Sequence, residues 1–317
     1  MRLKLIGILF LMCSSIANAH FVKDSLQGKE LKSLWTVKNN ASLFLTENAF
    51  INWNAGGNNS IAGIVKIQFI RNYKNDHMVW SNEMKTNYGL NKQAERELRK
   101  SEDLFEINST FGYRKDTATS WYTSAKFNFK TQFTNGYNYP NKTRPKSKIF
   151  APAYMYIGVG SEYTSKKKKL KLYISPMTNK TTYVLDRTLA NQGAFGVTKA
   201  IYDKEGNILS SGDQIKMEFG TLLSGKWEKL VMDNIKMTNK LRLYSDYINN
   251  FGNIDFDWEL NLDLTINKYI KANVGTHIIY DDDIKTKSDV DSEGNYEIQG
   301  AKIQLKQLLG VGLSYSF

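Results

Sequence analysis

Residues 301–317 read AKIQLKQLLGVGLSYSF. Ile303, Leu305, Leu309, Val311, Leu313, Tyr315 and Phe317 share one parity, and Lys302, Gln304, Lys306, Ser314 and Ser316 share the other. A period of two separates an apolar face from a polar one, which is the signature of a β-strand. In a soluble sandwich the apolar face meets a second sheet. In a closed barrel in lipid it meets acyl chains, and the polar face turns to the lumen.

The same period divides the chain into twelve strand-length segments, predicted at 36–48, 60–73, 77–89, 103–115, 119–134, 153–164, 169–183, 213–226, 234–248, 254–267, 270–281 and 301–317. The even-numbered connections are short and all but one of the odd-numbered ones are long. A sandwich has no reason to sort its connections this way, whereas a membrane barrel has short periplasmic turns and longer extracellular loops. The expected fold is therefore all-β, a closed antiparallel transmembrane β-barrel of about twelve strands over residues 36–317. A 29-residue connection, 184–212, has room for its own hairpin, with YDKEGN at 202–207 as its turn.

The first residues agree with export. Arg2 and Lys4 precede an apolar run from Leu5 to Met12, and Ala17-Asn18-Ala19 supplies small residues at a cleavage site, so 1–19 reads as a signal peptide. Met12 before Cys13 does not suit a lipid anchor. Residues 20–35 lack alternation and are expected to form a periplasmic lead-in. Removing Arg2 and Lys4 from 43 basic residues leaves 41 against 31 acidic ones, a charge of +10. Nucleic acid is excluded as a partner of an exported chain, so the basic balance points to anionic headgroups. Lys92, Arg96, Arg99 and Lys100, with KTRPKSK at 142–148, suit lipopolysaccharide phosphates, and Lys166–Lys169 fill a tight turn on the opposite rim. The only cysteine lies in the signal segment, which excludes disulfides from the mature chain.

The chemistry expected of the chain lies inside the barrel. IDFDWELNLDLTI alternates Phe256, Trp258, Leu260, Leu262, Leu264 and Ile266 with Asp255, Asp257, Glu259, Asn261, Asp263 and Thr265. Acids on one face do not enter hydrocarbon, so that face lines a lumen. Lys236, Lys240 and Arg242 on the strand before it, and Lys271 on the strand after it, make basic rows on either side. These rows predict cross-strand pairing, with Lys240 and Arg242 meeting Asp257, Glu259 and Asp263.

Other motifs are weaker. His277 points inward with Asp281 four residues on, which suggests a hydrolase at the outer rim, but no serine motif or second inward histidine supports catalysis. Asp289, Asp291 and Glu293 before Gly294 echo the start of a calcium loop. The twelfth position is Gly300, where a bidentate acid is required, so neither metal nor cofactor is expected.

Between the first two strands stands Asn52-Trp53-Asn54-Ala55-Gly56-Gly57-Asn58-Asn59-Ser60. Its glycines permit positive φ and its asparagines cap backbone groups, although neither explains Trp53. With this segment the chain resembles a Bacteroidota family of outer-membrane proteins of unknown function (domain-of-unknown-function family 3078). Asn52, Trp53, Gly56, Gly57, Asn59 and Ser60 carry the resemblance, which extends over the mature chain to its terminal aromatic. It implies an outer-membrane barrel in a Gram-negative bacterium and brings no activity, cofactor or catalytic residue.

The functional expectation is a non-enzymatic, porin-like barrel, either a narrow permeability path for a small solute or a structural and assembly-partner barrel. A rim hydrolase and a soluble periplasmic β-rich binding protein are the alternatives. Leu313, Tyr315 and Phe317 resemble the aromatic-ending terminus that outer-membrane insertion machinery recognises. Deleting Phe317 should therefore lower membrane insertion far more than deleting an aromatic from the 135–152 loop, scored by heat-modifiable migration. Equal losses would show that the end of the chain is not a special signal.

Overall fold

A computed structural model describes residues 34–49, 59–248, 251–287 and 298–317. The signal and lead-in expected for 1–33 lie outside these residues. The barrel unit is Leu34–Phe317. Its twelve strands are β1 (Trp35–Asn48), β2 (Ser60–Lys74), β3 (Met78–Gln93), β4 (Arg99–Tyr113), β5 (Trp121–Thr131) and β6 (Ala153–Ser165). They continue as β7 (Leu170–Tyr183), β8 (Ile215–Met232), β9 (Ile235–Asp246), β10 (Asp255–Thr265), β11 (Ile270–Tyr280) and β12 (Gln304–Ser316).

Each strand pairs antiparallel with the one before it, and β1 closes on β12 with Leu43 opposite Leu313. One rim is built from the connections 75–77, 114–120, 166–169, 233–234 and 266–269. The remaining connections, 49–59, 94–98, 132–152, 184–214, 247–254 and 281–303, start and end at the other rim. The sorting of short and long connections is therefore present, with two corrections. β3 and β4 run further than their alternation predicts, so 94–98 is short. β8 continues to Met232 and its turn is only Asp233-Asn234. The closing strand starts at Gln304, because Ile298–Ala301 pairs with Lys285–Lys287 in a small separate hairpin. Trp35, assigned above to the lead-in, opens β1.

The outside of the wall is apolar. Leu43, Val65, Trp80, Phe111, Trp121, Ile157, Ile174, Met217, Trp227, Val311 and Leu313 are all exposed. In water such a continuous band of large side chains would be severely unfavourable, so it argues for hydrocarbon around the barrel.

One strand breaks the simple rule. Pro176 lies in mid-β7, where it has no N–H to give a ladder. The register steps around it on both sides, between Val159–Met177 and Ser161–Ile174 against β6, and between Gly220–Thr178 and Leu222–Ser175 against β8. Pro176 therefore belongs to a bulge and asks for no ladder bond. β6 fits round it by approaching closely: a Cβ on Gly160 would fall 2.1 Å from the Ile174 carbonyl oxygen.

The long-loop rim has a small core of its own. Helix α1 (Arg187–Asn191) buries Leu189 and Ala190 against Ala151, Val184 and Val197. Beyond it the expected hairpin is present, Ile201–Tyr202 against Ile208–Ser210. Its turn is closed by Asp203, whose side chain accepts from the N–H groups of Glu205 and Asn207. Asp186 caps the helix by accepting from Leu189 N at 3.1 Å and holds the Lys148 ammonium at 2.5 Å.

Partial burial pushes the Asp186 carboxyl up, but Lys148 and the Leu189 N–H outweigh it and hold it below the ordinary aspartate value. Its folded pKa is thus the lower one. The cap contributes fully above the unfolded aspartate value, about 3.9, and is lost as pH falls through the folded value. Protection of the 187–191 amides, taken relative to their intrinsic exchange rate at each pH, should be high near about pH 6 and fall near about pH 3. Asp186→Asn, which cannot ionise but caps about as well, should remove most of that pH dependence and cost only the Lys148 pair, about 0.5 kcal/mol.

Candidate functional site

The site is the lumen, and strand parity puts its residues there. The ladders on either side of β10 show which residues face one another across neighbouring strands. Lys236 stands opposite Asp263, Lys240 opposite Glu259 and Arg242 opposite Asp257. On the next ladder Glu259 stands opposite His277 and Asp263 opposite Asn273. The Lys240 ammonium lies 3.0 Å from Glu259, and Arg242 lies 3.9 Å from Asp257.

Four members of the expected rows go elsewhere. Lys236 reaches back to Glu228 at 2.9 Å, and Asp263 instead accepts from Asn273 at 2.8 Å. Lys271 stands opposite Thr265 rather than an acid. Asp255 belongs to Lys180 of β7, at 2.6 Å. His277 contacts Asp257 at 2.8 Å, whereas Asp281, its expected neighbour, lies 3.4 Å from Lys180.

The opposite wall completes the network, and sequence reasoning missed it. Glu106 of β4, 8% exposed, sits 3.3 Å from Lys85 and accepts from Asn128 at 3.0 Å. Arg242 of β9 reaches the same carboxylate at 3.9 Å. These strands are five places apart in a ring of twelve, so this contact crosses nearly the whole lumen. Further chords run between strands that are not neighbours. Lys126 of β5 donates to Ser224 of β8 at 2.8 Å, and Lys171 of β7 donates to Ser81 of β3 at 3.1 Å. Lys66 of β2 donates to Asn273 of β11 at 3.2 Å, and Lys306 of β12 meets Glu102 of β4 at 2.9 Å.

Tyrosines fill the space between the chords. Tyr173, Tyr244 and Leu222 cluster at 2% exposure each, packed by Tyr156. Cations sit over their rings: Lys126 on Tyr173, Lys180 on Tyr244 and Arg242 on Tyr156, all within about 5 Å. The lumen at this height is a packed polar and aromatic interior.

Asp257, Glu259 and His277 bring ligand atoms within 4.8 Å of one another, the one such group among the described residues. Glu259 is already neutralised by Lys240 and Asp257 by Arg242, and His277 hydrogen-bonds to Asp257. A divalent ion would have to displace those cations, so the donor set suits an ion-pair network better than a metal.

Toward the long-loop rim the balance turns acidic. Lys180, 1% exposed, is surrounded by Asp255, Asp281 and Glu218 at 2.6, 3.4 and 3.5 Å, and Lys216 holds Asp283 at 2.5 Å. A cavity of about 20 Å³ opens among Glu218, Tyr244, Asp255 and Asp282, room for about one water.

Of the loop motif, Asn52, Trp53, Gly56 and Gly57 lie outside the described residues, as do Asp289, Asp291 and Glu293. Asn59 and Ser60 start β2, where Asn48 donates to Ser60 at 3.2 Å. Leu313, Tyr315 and Phe317 face outward at about 60% exposure. The Tyr315 and Phe317 rings stack, and Phe317 N bonds Asn39 O at 3.1 Å.

Residues 45–137 match the family described as protein of unknown function (DUF3078). The match takes in the Asn52–Ser60 segment and stops well short of β12. No curated protein matches the chain. Among solved structures it is similar to an outer-membrane channel from Pseudomonas putida F1, at 9% identity over 92% of this chain and 100% of that one, with a TM-score of 0.40. It is also similar to the NanC porin, at 9% identity over 87% and 98%, TM-score 0.37. The translocator domain of the autotransporter NalP from Neisseria meningitidis follows at 11% identity over 97% and 94%, TM-score 0.35. These are likenesses of barrel to barrel, and the fold here rests on the chain's own strand pairing.

Lys180 offers a direct test of the network. Lys180→Met leaves three carboxylates around an uncharged side chain, and the expected loss is about 3–5 kcal/mol in urea unfolding of the refolded barrel. Adding Asp255→Asn should recover part of it. A single variant as stable as wild type would show that the carboxylates are already satisfied by water.

Proposed function

We propose that the protein is a non-enzymatic outer-membrane β-barrel of a Gram-negative bacterium, and that its lumen is a narrow, charge-lined path for a small polar solute or ion. The observation that carries this reading is the Arg242–Glu106 contact, which joins nearly opposite walls at the level of the Asp257–Glu259 row. Eight-stranded barrels are filled by side chains and sixteen-stranded ones leave a water channel, so in twelve strands the side chains decide the passage. Here long cations and acids meet across the lumen and close it. Small rearrangements of flexible lysines would open it, which is how a narrow path differs from a wide pore.

The location is supported by the apolar outer face, by closure of the sheet and by the signal-like first residues. The exposed band also speaks against the soluble binding-protein alternative. The non-enzymatic reading is supported by His277, whose contact is with a carboxylate inside an ion-pair network. The same packed lumen also favours a second reading, a sealed structural or assembly-partner barrel.

Conductance in planar bilayers separates the two. Asp257→Asn with Glu259→Gln and Asp263→Asn leaves Lys240, Arg242 and Lys85 with fewer counter-charges. The variant should show higher single-channel conductance, a shift toward anions and lower thermal stability. Conductance and ion preference at wild-type values would mean that these acids border no path, and the sealed reading would then stand.

A further inference from the structure

The short-turn rim carries a recess that the lumen does not explain. Its first wall is the turn between β6 and β7, Lys166–Lys169, four consecutive exposed lysines. Lys169 takes φ +48°, a left-handed conformation in which glycine is the cheaper residue, by about 1 kcal/mol. The carbonyl of Lys169 accepts from Glu228 N at 3.0 Å, which fastens the turn against β8. The second wall is β8 itself. Trp227 pairs with Leu170, the last register position of that ladder, and β8 then continues alone on this side to Met232.

Between these walls lies an open recess of about 570 Å³ lined by Lys167, Lys168, Lys169, Lys229, Trp227 and Leu230. Its one acid is already spent, because Glu228 holds Lys226 at 2.8 Å and Lys236 at 2.9 Å. The four lysines form no ion pair among the described residues, so their charge is available to something outside the chain. The floor is apolar at Trp227, 40% exposed, and it runs into the outward band through Leu223 and Ile174. A soluble anion would need only the lysines. An anionic head joined to an apolar tail needs both the lysines and the floor.

We propose that this recess binds the headgroup of an anionic phospholipid in the leaflet at the short-turn rim, with its acyl chains lying along Trp227, Leu223 and Ile174. The inference rests on the membrane reading above. Lysines at a membrane surface favour anionic over neutral lipid by about fivefold for each one fully engaged.

The full-length protein reconstituted in phosphatidylcholine vesicles provides the test, with brominated phosphatidylglycerol or brominated phosphatidylcholine as the quencher of tryptophan fluorescence. The Trp227 signal is isolated by difference from Trp227→Phe. It should be quenched at an about fivefold lower mole fraction of the glycerol lipid. In the triple variant Lys167→Gln, Lys168→Gln, Lys229→Gln the two lipids should quench alike. Heat-modifiable migration reports separately whether each protein has inserted. Equal quenching of inserted wild type by both lipids, or a preference that survives the triple variant, overturns the lipid site and leaves the barrel reading standing. Reversal of the preference by millimolar inorganic phosphate would make it a soluble-anion site and overturns the proposal as well. A wild type that does not insert at all defeats the membrane reading itself.

Discussion

An unpaired strand edge in hydrocarbon leaves backbone N–H and C=O groups with nothing to bond, at several kcal/mol for each group. That constraint makes closure of β1 on β12 the condition for everything else in the molecule. It gives the last strand a defined task, since β12 closes the ring by pairing with β11 on one side and with β1 on the other. It also explains the Pro176 bulge. A residue with no N–H is admitted only where both neighbouring registers step past it, and Gly160 accepts the close backbone approach that follows.

Closing twelve strands creates a second problem, because the enclosed space is too wide for aliphatic side chains and narrower than a porin channel. Lysine and arginine reach furthest while keeping a polar tip, and they serve as the beams of this lumen. Lys66, Lys126, Lys171, Lys180, Lys306 and Arg242 each end on a carboxylate, a hydroxyl or an amide of a strand that is not their neighbour. Tyrosine rings occupy the space between and give the cations a second favourable surface. Taking so many charges out of bulk water is costly unless every one is met. The near balance at mid-height and the acidic excess at the long-loop rim are therefore different environments within one lumen.

Much of this was legible in the sequence, for local reasons. Parity alone sends Asp257, Glu259, Lys240 and Arg242 inward, and neighbouring strands then bring their rows within reach of one another. The small hairpin at 201–210 was readable from its turn residues. The chords across the lumen were not readable. Whether Arg242 meets Glu106 depends on the stagger of all the strands between them, which no single segment encodes. Asp255 went to Lys180 for the same reason, since a strand three places round the ring outcompeted the adjacent one. The end of β8 was missed because WEKLVMDN loses its alternation where the strand leaves the apolar wall.

The long-loop rim has a packed interior separate from the lumen, formed by Ala151, Val184, Leu189, Ala190 and Val197. A patch of rim with its own apolar core can melt, shift or be replaced without disturbing the ladders below it. The tip of its hairpin, Asp203–Asn207, is exposed and held mainly by its own local hydrogen bonds. Foreign sequence inserted at that tip would thus be carried by a rigid support standing clear of the wall. In engineering terms this rim is a display platform, and its foundation is insulated from its cargo.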